Sequence, residues 1–135
     1  MSPLHDRKNW KRTEINGIKL YDVHGKEGAA RILASAQACM DMAAEAHGLT
    51  YKSLGECHSR NYVGICYESG AINLMVREHR RPAKFRPWMD VLVTAMHELA
   101  HTRHFDHSAD FKALERELVA FAKAQGWFER PPCTP

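Results

Sequence analysis

The feature that most constrains this chain is the run from His97 to His107, which reads H-E-L-A-H-T-R-H-F-D-H. On an α-helix, residues four positions apart lie about 40° apart around the axis and one turn apart along it. His97 and His101 would therefore point both imidazoles at one place beside the helix, with Glu98 at the rim of that face. Apolar residues just upstream keep the same helical period, so the sequence predicts that the motif lies on a packed helix.

Two imidazoles at this spacing are typical of a zinc site. Zinc binds neutral imidazole nitrogens at about 2.0–2.1 Å, and a catalytic zinc has three protein ligands and a fourth position for water. The metal lowers the pKa of that water towards about 7, and a nearby carboxylate can accept its proton as it attacks a carbonyl. We therefore expect one Zn2+ held partly by His97 and His101, with Glu98 as the general base.

The third ligand has two candidates, His104 and His107. On a continuing helix, His104 would lie about 10.5 Å along the axis from His97, too far for three histidines in line to bind one ion. His107 can serve only if the helix breaks after His101 and the chain turns back. Asp106 is the residue best able to take a left-handed conformation there. We expect His107 to be the ligand and His104 to lie beside the site. The alternative to a metal site as a whole is a solvent-exposed, histidine-rich helix end.

Length and composition fit one globular domain. The chain has 135 residues, of which 26% are charged and 44% hydrophobic, with a net charge of +3. No apolar run is long enough to span a membrane, and the polar, basic start has no signal-peptide core. The four cysteines form no C-x-x-C pair, so neither a zinc ribbon nor a redox motif is present. We expect an intracellular protein, cytoplasmic or nuclear, whose cysteines are free, partly buried thiols because that compartment is reducing. The oligomeric state stays open.

Periodicity and turn residues predict an α+β fold. It has an N-terminal helix, a small three- to four-stranded sheet, the metal-binding helix and a C-terminal helix. We expect a basic arm over residues 1–13, a single domain over 14–128 and a disordered tail over 129–135. The predicted helices cover about Gly28–His47, the residues from Pro87 to the histidines, and the residues from the N-cap Ser108 to Gly126; the predicted strands cover Ile15–Val23, Tyr51–Cys57, Tyr62–Tyr67 and Ala71–Arg77.

The last strand and the loop after it are candidate binding surfaces. If Ile72–Val76 lies at a sheet edge, it could bind an extended peptide by strand addition; the alternative is an ordinary core strand. The loop that follows is rich in cations and contains two prolines, so it can attract phosphates of DNA or RNA, unless it is merely solvated. Its cationic residues are Arg77, Arg80, Arg81, Lys84 and Arg86.

The region from about Ala71 to Gln125 resembles the SprT-like and WLM-type zinc metalloproteases and the related YgjP-like family. The shared pattern is H-E-L-x-H, a five-residue gap, a third histidine and an aromatic residue that opens the next helix; here the last two are His107 and Phe111. The resemblance implies a compact zincin-like metallopeptidase domain that acts on proteins or peptides. It also implies that His97, His101 and His107 bind zinc and that Glu98 is the base. Some members cleave proteins crosslinked to DNA, but they usually carry extra DNA- or partner-binding segments, which we do not expect in this chain.

Three alternatives remain. YbeY endoribonucleases resemble the chain in their three histidines, but they usually have no glutamate after the first one. Peptide deformylase shares H-E-x-x-H and uses an upstream cysteine ligand, for which Cys57 lies at about the right distance; its glycine-rich motif is missing here. A non-catalytic, zinc-stabilised binding module is the third, and Glu98 beside an open coordination position argues against it.

Overall fold

A computed structural model describes residues 10–132 and contains three helices and a five-stranded sheet. The predicted α+β class is confirmed. None of the described helices is long and apolar enough to cross a membrane. In chain order the elements are β1 (Arg12–Ile15), β2 (Ile18–Tyr21), α1 (Lys26–His47), β3 (Ser53–Glu56), β4 (Gly64–Cys66), β5 (Ala71–Leu74), α2 (Trp88–His101) and α3 (Ala109–Ala124).

The sheet has the strand order β1-β2-β3-β5-β4. The two hairpins, β1 with β2 and β4 with β5, are antiparallel, whereas β2 with β3 and β3 with β5 are parallel. The parallel pair β2 and β3 requires a crossover, and α1 supplies it. Strands β4 and β5 form an antiparallel hairpin, and Gly70 makes its turn with φ +94°.

The sheet has one strand more than predicted, because residues 12–15 pair with β2. Asn16 and Gly17 connect these strands, and both have positive φ, at 51° and 84°. Positive φ at both central residues defines a two-residue type I′ turn, which Asn-Gly favours. Arg12 and Thr13, assigned to the basic arm, thus belong to the sheet; the rest of the predicted arm before Trp10, and residues 133–135 of the predicted tail, lie outside the described residues.

The core lies between the helices and one side of the sheet. Helix α1 begins two residues earlier than predicted and ends as expected at Gly48, whose φ is +66°. Its buried face is rich in alanine, which lets α2 and the sheet approach it closely. Trp88 Nε1 at the start of α2 donates to the Trp127 carbonyl after α3 at 2.7 Å, tying the two helices together. The buried face of α1 comprises Ala29, Ala30, Leu33, Ser35, Ala36, Cys39, Met40, Ala43 and Ala44.

Candidate metal centre

Helix α2 positions the first two histidines. Its buried face, which includes Leu92, Ala95, Met96 and Leu99, packs into the core and fixes the rotation of the helix. His97 and His101 therefore lie side by side, with ring centroids 4.8 Å apart. The helix ends at His101, as expected.

The chain then turns back and brings in the third histidine. Backbone N–H groups of Thr102, Arg103 and His104 donate to carbonyls of the last turn of α2, so the helix tightens before it stops. Asn16 is the only non-glycine residue with positive φ among residues 10–132. The expectation of a left-handed Asp106 is therefore wrong, and the reversal is made by the tightened turn.

Helix α3 holds His107 in place. Ser108 is its N-cap, and the Ser108 hydroxyl accepts the Phe111 N–H at 3.2 Å. Phe111 is buried, and its ring lies against all three imidazoles, at 5.0 Å from His97, 4.3 Å from His101 and 5.1 Å from His107. One ligand atom from each histidine lies within 4.8 Å of those of the other two. The structure thus groups the three predicted ligand residues.

Hydrogen bonds set the tautomers of two of these rings. His97 Nδ1 lies 2.5 Å from Glu115 Oε2, and His101 Nδ1 lies 2.8 Å from the His104 carbonyl oxygen. Both partners are acceptors, so each Nδ1 carries the proton and each Nε2 keeps a free lone pair. This donor set fits a zinc ion. His104 contributes its backbone, whereas its side chain is not part of the cluster.

Glu98 lies beside the cluster and is 5% exposed. Burial is the main cause that raises its pKa; His97 opposes this effect and Glu115 adds to it. A carboxylate with a raised pKa is a stronger base and so better suited to accept a proton. Gly64 of β4 faces this carboxylate: a Cβ atom there would lie 3.1 Å from Glu98 Oε2 and 2.7 Å from Thr94 Cγ2. The close approach of β4 to α2 therefore depends on this glycine.

A cleft of about 560 Å³ opens at the cluster. Strand β4 and the loop before it form one wall, and the outer face of α2 forms the other. Several exposed apolar side chains line it, with Tyr62 43% and Phe105 53% accessible. The lining residues are Tyr62, Val63, Gly64, Ile65, Cys66, Val93, Thr94, His97, Glu98, His101, Phe105, His107 and Glu115.

The sheet edge beside the cleft is β4, and the suggestion that Ile72–Val76 forms an edge is wrong. Strand β5 lies between β3 and β4. Met75 donates to the Val63 carbonyl, and Tyr67 donates to the Ala71 carbonyl. Because hydrogen-bonded and non-bonded pairs alternate along an antiparallel ladder, Gly64 and Cys66 direct their N–H and C=O groups away from β5.

The cationic loop divides into buried and exposed residues. Arg77 is fully buried, where its Nε donates to Glu56 Oε2 at 2.9 Å and its Nη1 donates to the carbonyls of His24 and Pro82. Arg77 therefore cannot contact nucleic acid, and the prediction for this residue is wrong. Arg86 is partly buried and donates to the Met75 carbonyl. The exposed cations are Arg80, Arg81 and Lys84, of which the last two pair with Glu78.

Other candidates lie away from the cluster. Cys57, which follows the central strand β3, is buried and is not in the histidine group, so it forms no deformylase-like ligand set with these histidines. Arg103, which follows α2, donates to the carbonyls of His47 and Gly48 at the end of α1. Tyr62, by contrast, lines the cleft. Glu115 and Gly64 are site residues that were not predicted. The sequence signal for Glu115 is that it follows Phe111 by four positions and so shares its helix face.

The model of the WLM domain family matches residues 10–127. The chain belongs to the WLM domain family. The resemblance to WLM-type proteins is thereby confirmed. A search of curated proteins finds no significant match.

Solved structures show the same WLM fold. Wss1 from Saccharomyces cerevisiae superposes with a TM-score of 0.73 at 19% identity, covering 84% of this chain and 97% of that chain. Wss1 from S. pombe superposes with a TM-score of 0.70 at 28% identity, covering 81% of this chain and 92% of that chain. The chain thus spans nearly the whole of the crystallised Wss1 segments.

Proposed function

We propose that this WLM domain is a zinc-dependent metallopeptidase, in which His97, His101 and His107 bind the metal and Glu98 is the general base. The observation that carries the proposal is the group of three imidazoles, with ligand atoms within 4.8 Å of one another, beside a buried carboxylate in an open cleft. Membership of the WLM family supports a metallopeptidase-type function.

The metal ion, Glu98 and the cleft wall have separate roles in the proposed hydrolysis. Zinc, when bound, supplies a Lewis acid and lowers the pKa of water towards neutrality. Glu98 accepts the proton from the attacking water and delivers it to the leaving amine. A substrate segment bound against the apolar wall would exclude bulk water, which would strengthen the electrostatic interactions inside the cleft.

Strand β4 is the proposed binding surface for the substrate backbone. Gly64 and Cys66 present N–H and C=O groups along the cleft, and an extended polypeptide can pair with them by strand addition. Such binding uses backbone groups, so it favours flexible segments of proteins over folded ones. The exposed apolar side chains of the cleft would contact the side chains of the same segment.

Nucleic acid is a proposed second ligand, bound through Arg80, Arg81 and Lys84. These exposed cations follow β5 and precede α2, which carries the histidines. Phosphate contacts of this kind are strongly salt-dependent. Bound DNA or RNA could bring an associated or crosslinked protein to the cleft, in a cytoplasmic or nuclear setting.

The test is the Glu98→Gln variant. We expect it to retain zinc and its fold but to lose hydrolysis of a denatured protein by several orders of magnitude, because an amide cannot accept the proton. Zinc content and thermal unfolding serve as controls in the same preparation. Unchanged proteolysis would remove Glu98 from the mechanism. A zinc-loaded wild-type protein that cleaves RNA and leaves proteins intact would instead support the endoribonuclease alternative, and one that cleaves neither would support a binding module.

A further inference from the structure

Glu115 lies on α3 and reaches across to α2. Its Oε2 atom is 2.5 Å from His97 Nδ1, and the two side chains are 28% and 31% exposed. Glu115 follows the buried Phe111 by four residues, so both side chains leave α3 on the face that meets the histidines. Helix α3 therefore contributes an aromatic ring and a carboxylate to the same cluster.

We propose that Glu115 is a positioning residue of the metal centre, which holds the His97 ring with Nδ1 protonated and Nε2 directed at the ion. This inference rests on the proposed zinc site. A carboxylate can only accept the hydrogen bond, so it fixes the tautomer as well as the orientation of the ring. A negative charge at Nδ1 also increases the basicity of the coordinating nitrogen.

The two α2 histidines are oriented by different kinds of acceptor. His101 donates to the His104 carbonyl, which is held by the backbone of the turn after α2. His97 has a longer-range partner, since Glu115 is 18 residues away in sequence. Truncating the Glu115 side chain therefore removes the partner of His97, whereas no truncation at His104 removes the partner of His101.

The experiment measures zinc affinity and does not depend on proteolysis. Metal-free wild-type protein, Glu115→Ala, Glu115→Gln and Glu117→Ala are titrated with zinc in competition with a chromogenic chelator. Loss of an outer-sphere partner typically weakens metal affinity about 10–100-fold, and we expect the dissociation constant of Glu115→Ala to rise by this factor. The zinc dissociation constant of Glu115→Gln should lie between those of the wild type and Glu115→Ala, since the Gln amide oxygen still accepts the His97 Nδ1–H. Glu117 is exposed on the same helix, so Glu117→Ala should bind zinc as the wild type does.

Three outcomes overturn the inference. An unchanged zinc constant in Glu115→Ala, beside a wild type that binds zinc, refutes it and leaves the proposed function standing; a wild type that binds no zinc refutes both. X-ray absorption of the zinc-loaded variants provides the second readout. We expect the zinc ion to have three imidazole nitrogen ligands both in Glu115→Ala and in the wild type. If the variant instead loses an oxygen ligand that the wild type has, Glu115 is itself a ligand of the metal. Melting temperatures of the metal-free proteins show whether a variant still folds, and Glu115→Gln keeps the test available if Glu115→Ala does not.

Discussion

Gly64 and Glu98 face each other across the base of the cleft, with no room for a Cβ atom between strand and helix. The atom would lie 3.1 Å from Glu98 Cγ and Oε2. The position of the proposed base is thus set by a residue that has no side chain, some 34 positions earlier in the sequence.

Gly64→Ala should therefore reduce both the activity and the stability of the protein. We expect about 1–3 kcal/mol of destabilisation from overpacking and about a 100-fold loss of kcat/KM from displacement of Glu98. Thr94→Ser removes the Cγ2 atom that lies 2.7 Å from the added Cβ but keeps the hydroxyl that donates to Asp90, so it should partly rescue the variant. Gly55→Ala is the control, since its Cβ would meet Asn73 away from the cleft. Equal loss of activity in Gly55→Ala would contradict this explanation.

Proline substitution tests whether β4 binds substrate. The N–H of Cys66 points away from β5, so Cys66→Pro removes a donor that only a substrate strand would use. We expect a higher KM for peptides with a nearly unchanged melting temperature. The N–H of Ile65 faces β5, so Ile65→Pro should instead destabilise the fold. If Cys66→Pro leaves KM unaltered, the substrate does not pair with this edge.

Alanine variants test which histidine of the α2–α3 connection, His104 or His107, binds zinc. His107→Ala should lose zinc because it removes one of three ligands. His104→Ala should keep zinc, since the backbone carbonyl that orients His101 remains. Elemental analysis after dialysis without added metal is the measurement. The reverse pattern would mean that the grouping of His107 with His97 and His101 does not describe the metal-bound protein.

Substitutions in the cationic loop should have two different effects. Replacing Arg80, Arg81 and Lys84 together with glutamine should remove any stimulation of proteolysis by nucleic acid at low salt and leave the basal rate. Arg77→Met should instead destabilise the protein by about 3–5 kcal/mol, because it leaves the Glu56 carboxylate buried without its ion-pair partner. Denaturant unfolding and activity titrations with DNA or RNA distinguish them. Stimulation that persists in the triple variant would place nucleic acid elsewhere.

Buried thiols predict loss of stability at high pH. Burial raises the pKa of Cys39 from 9.0 to about 12. Between these two pH values the folded state keeps the proton that the unfolded state releases. The free energy of unfolding is therefore unaffected by this thiol below pH 9 and falls as the pH rises towards 12. The slope from one such thiol is at most about 1.4 kcal/mol per pH unit. Cys39→Ala should flatten the decline measured by denaturant unfolding, and an identical slope would contradict the assignment.

Local patterns predicted the helices and the histidine cluster well. The period of apolar residues gave α1, α2 and α3 nearly to their ends, and the spacing of His97, His101 and His107 indicated that they could meet. These features depend on interactions between residues close in sequence. Asn16-Gly17 is also a local signal of this kind, since the pair favours the turn that joins β1 and β2.

Long-range pairing was not predictable from the same patterns. Strand β5 is next to α2 in sequence, yet β4 is the edge strand because β3 pairs with the other side of β5. Composition likewise could not show that Arg77, alone among the described cations of its loop, is fully buried, since its partner Glu56 lies 21 residues earlier. The order of strands in the sheet and the burial of one arginine depend on the free energy of the whole folded core.

The connection between α2 and α3 carries a proposed metal ligand as well as joining two helices. His101 ends one helix, Ser108 caps the next, and His107 must face the cluster from between them. An inserted or deleted residue would rotate His107 away or shift Phe111 along the imidazoles. The turn at Glu68–Gly70 joins two strands and carries none of the three histidines, so it has no such constraint. In this fold the length of one short surface connection, as much as its composition, therefore sets the geometry of the centre, and natural or engineered length variation should concentrate elsewhere on the surface.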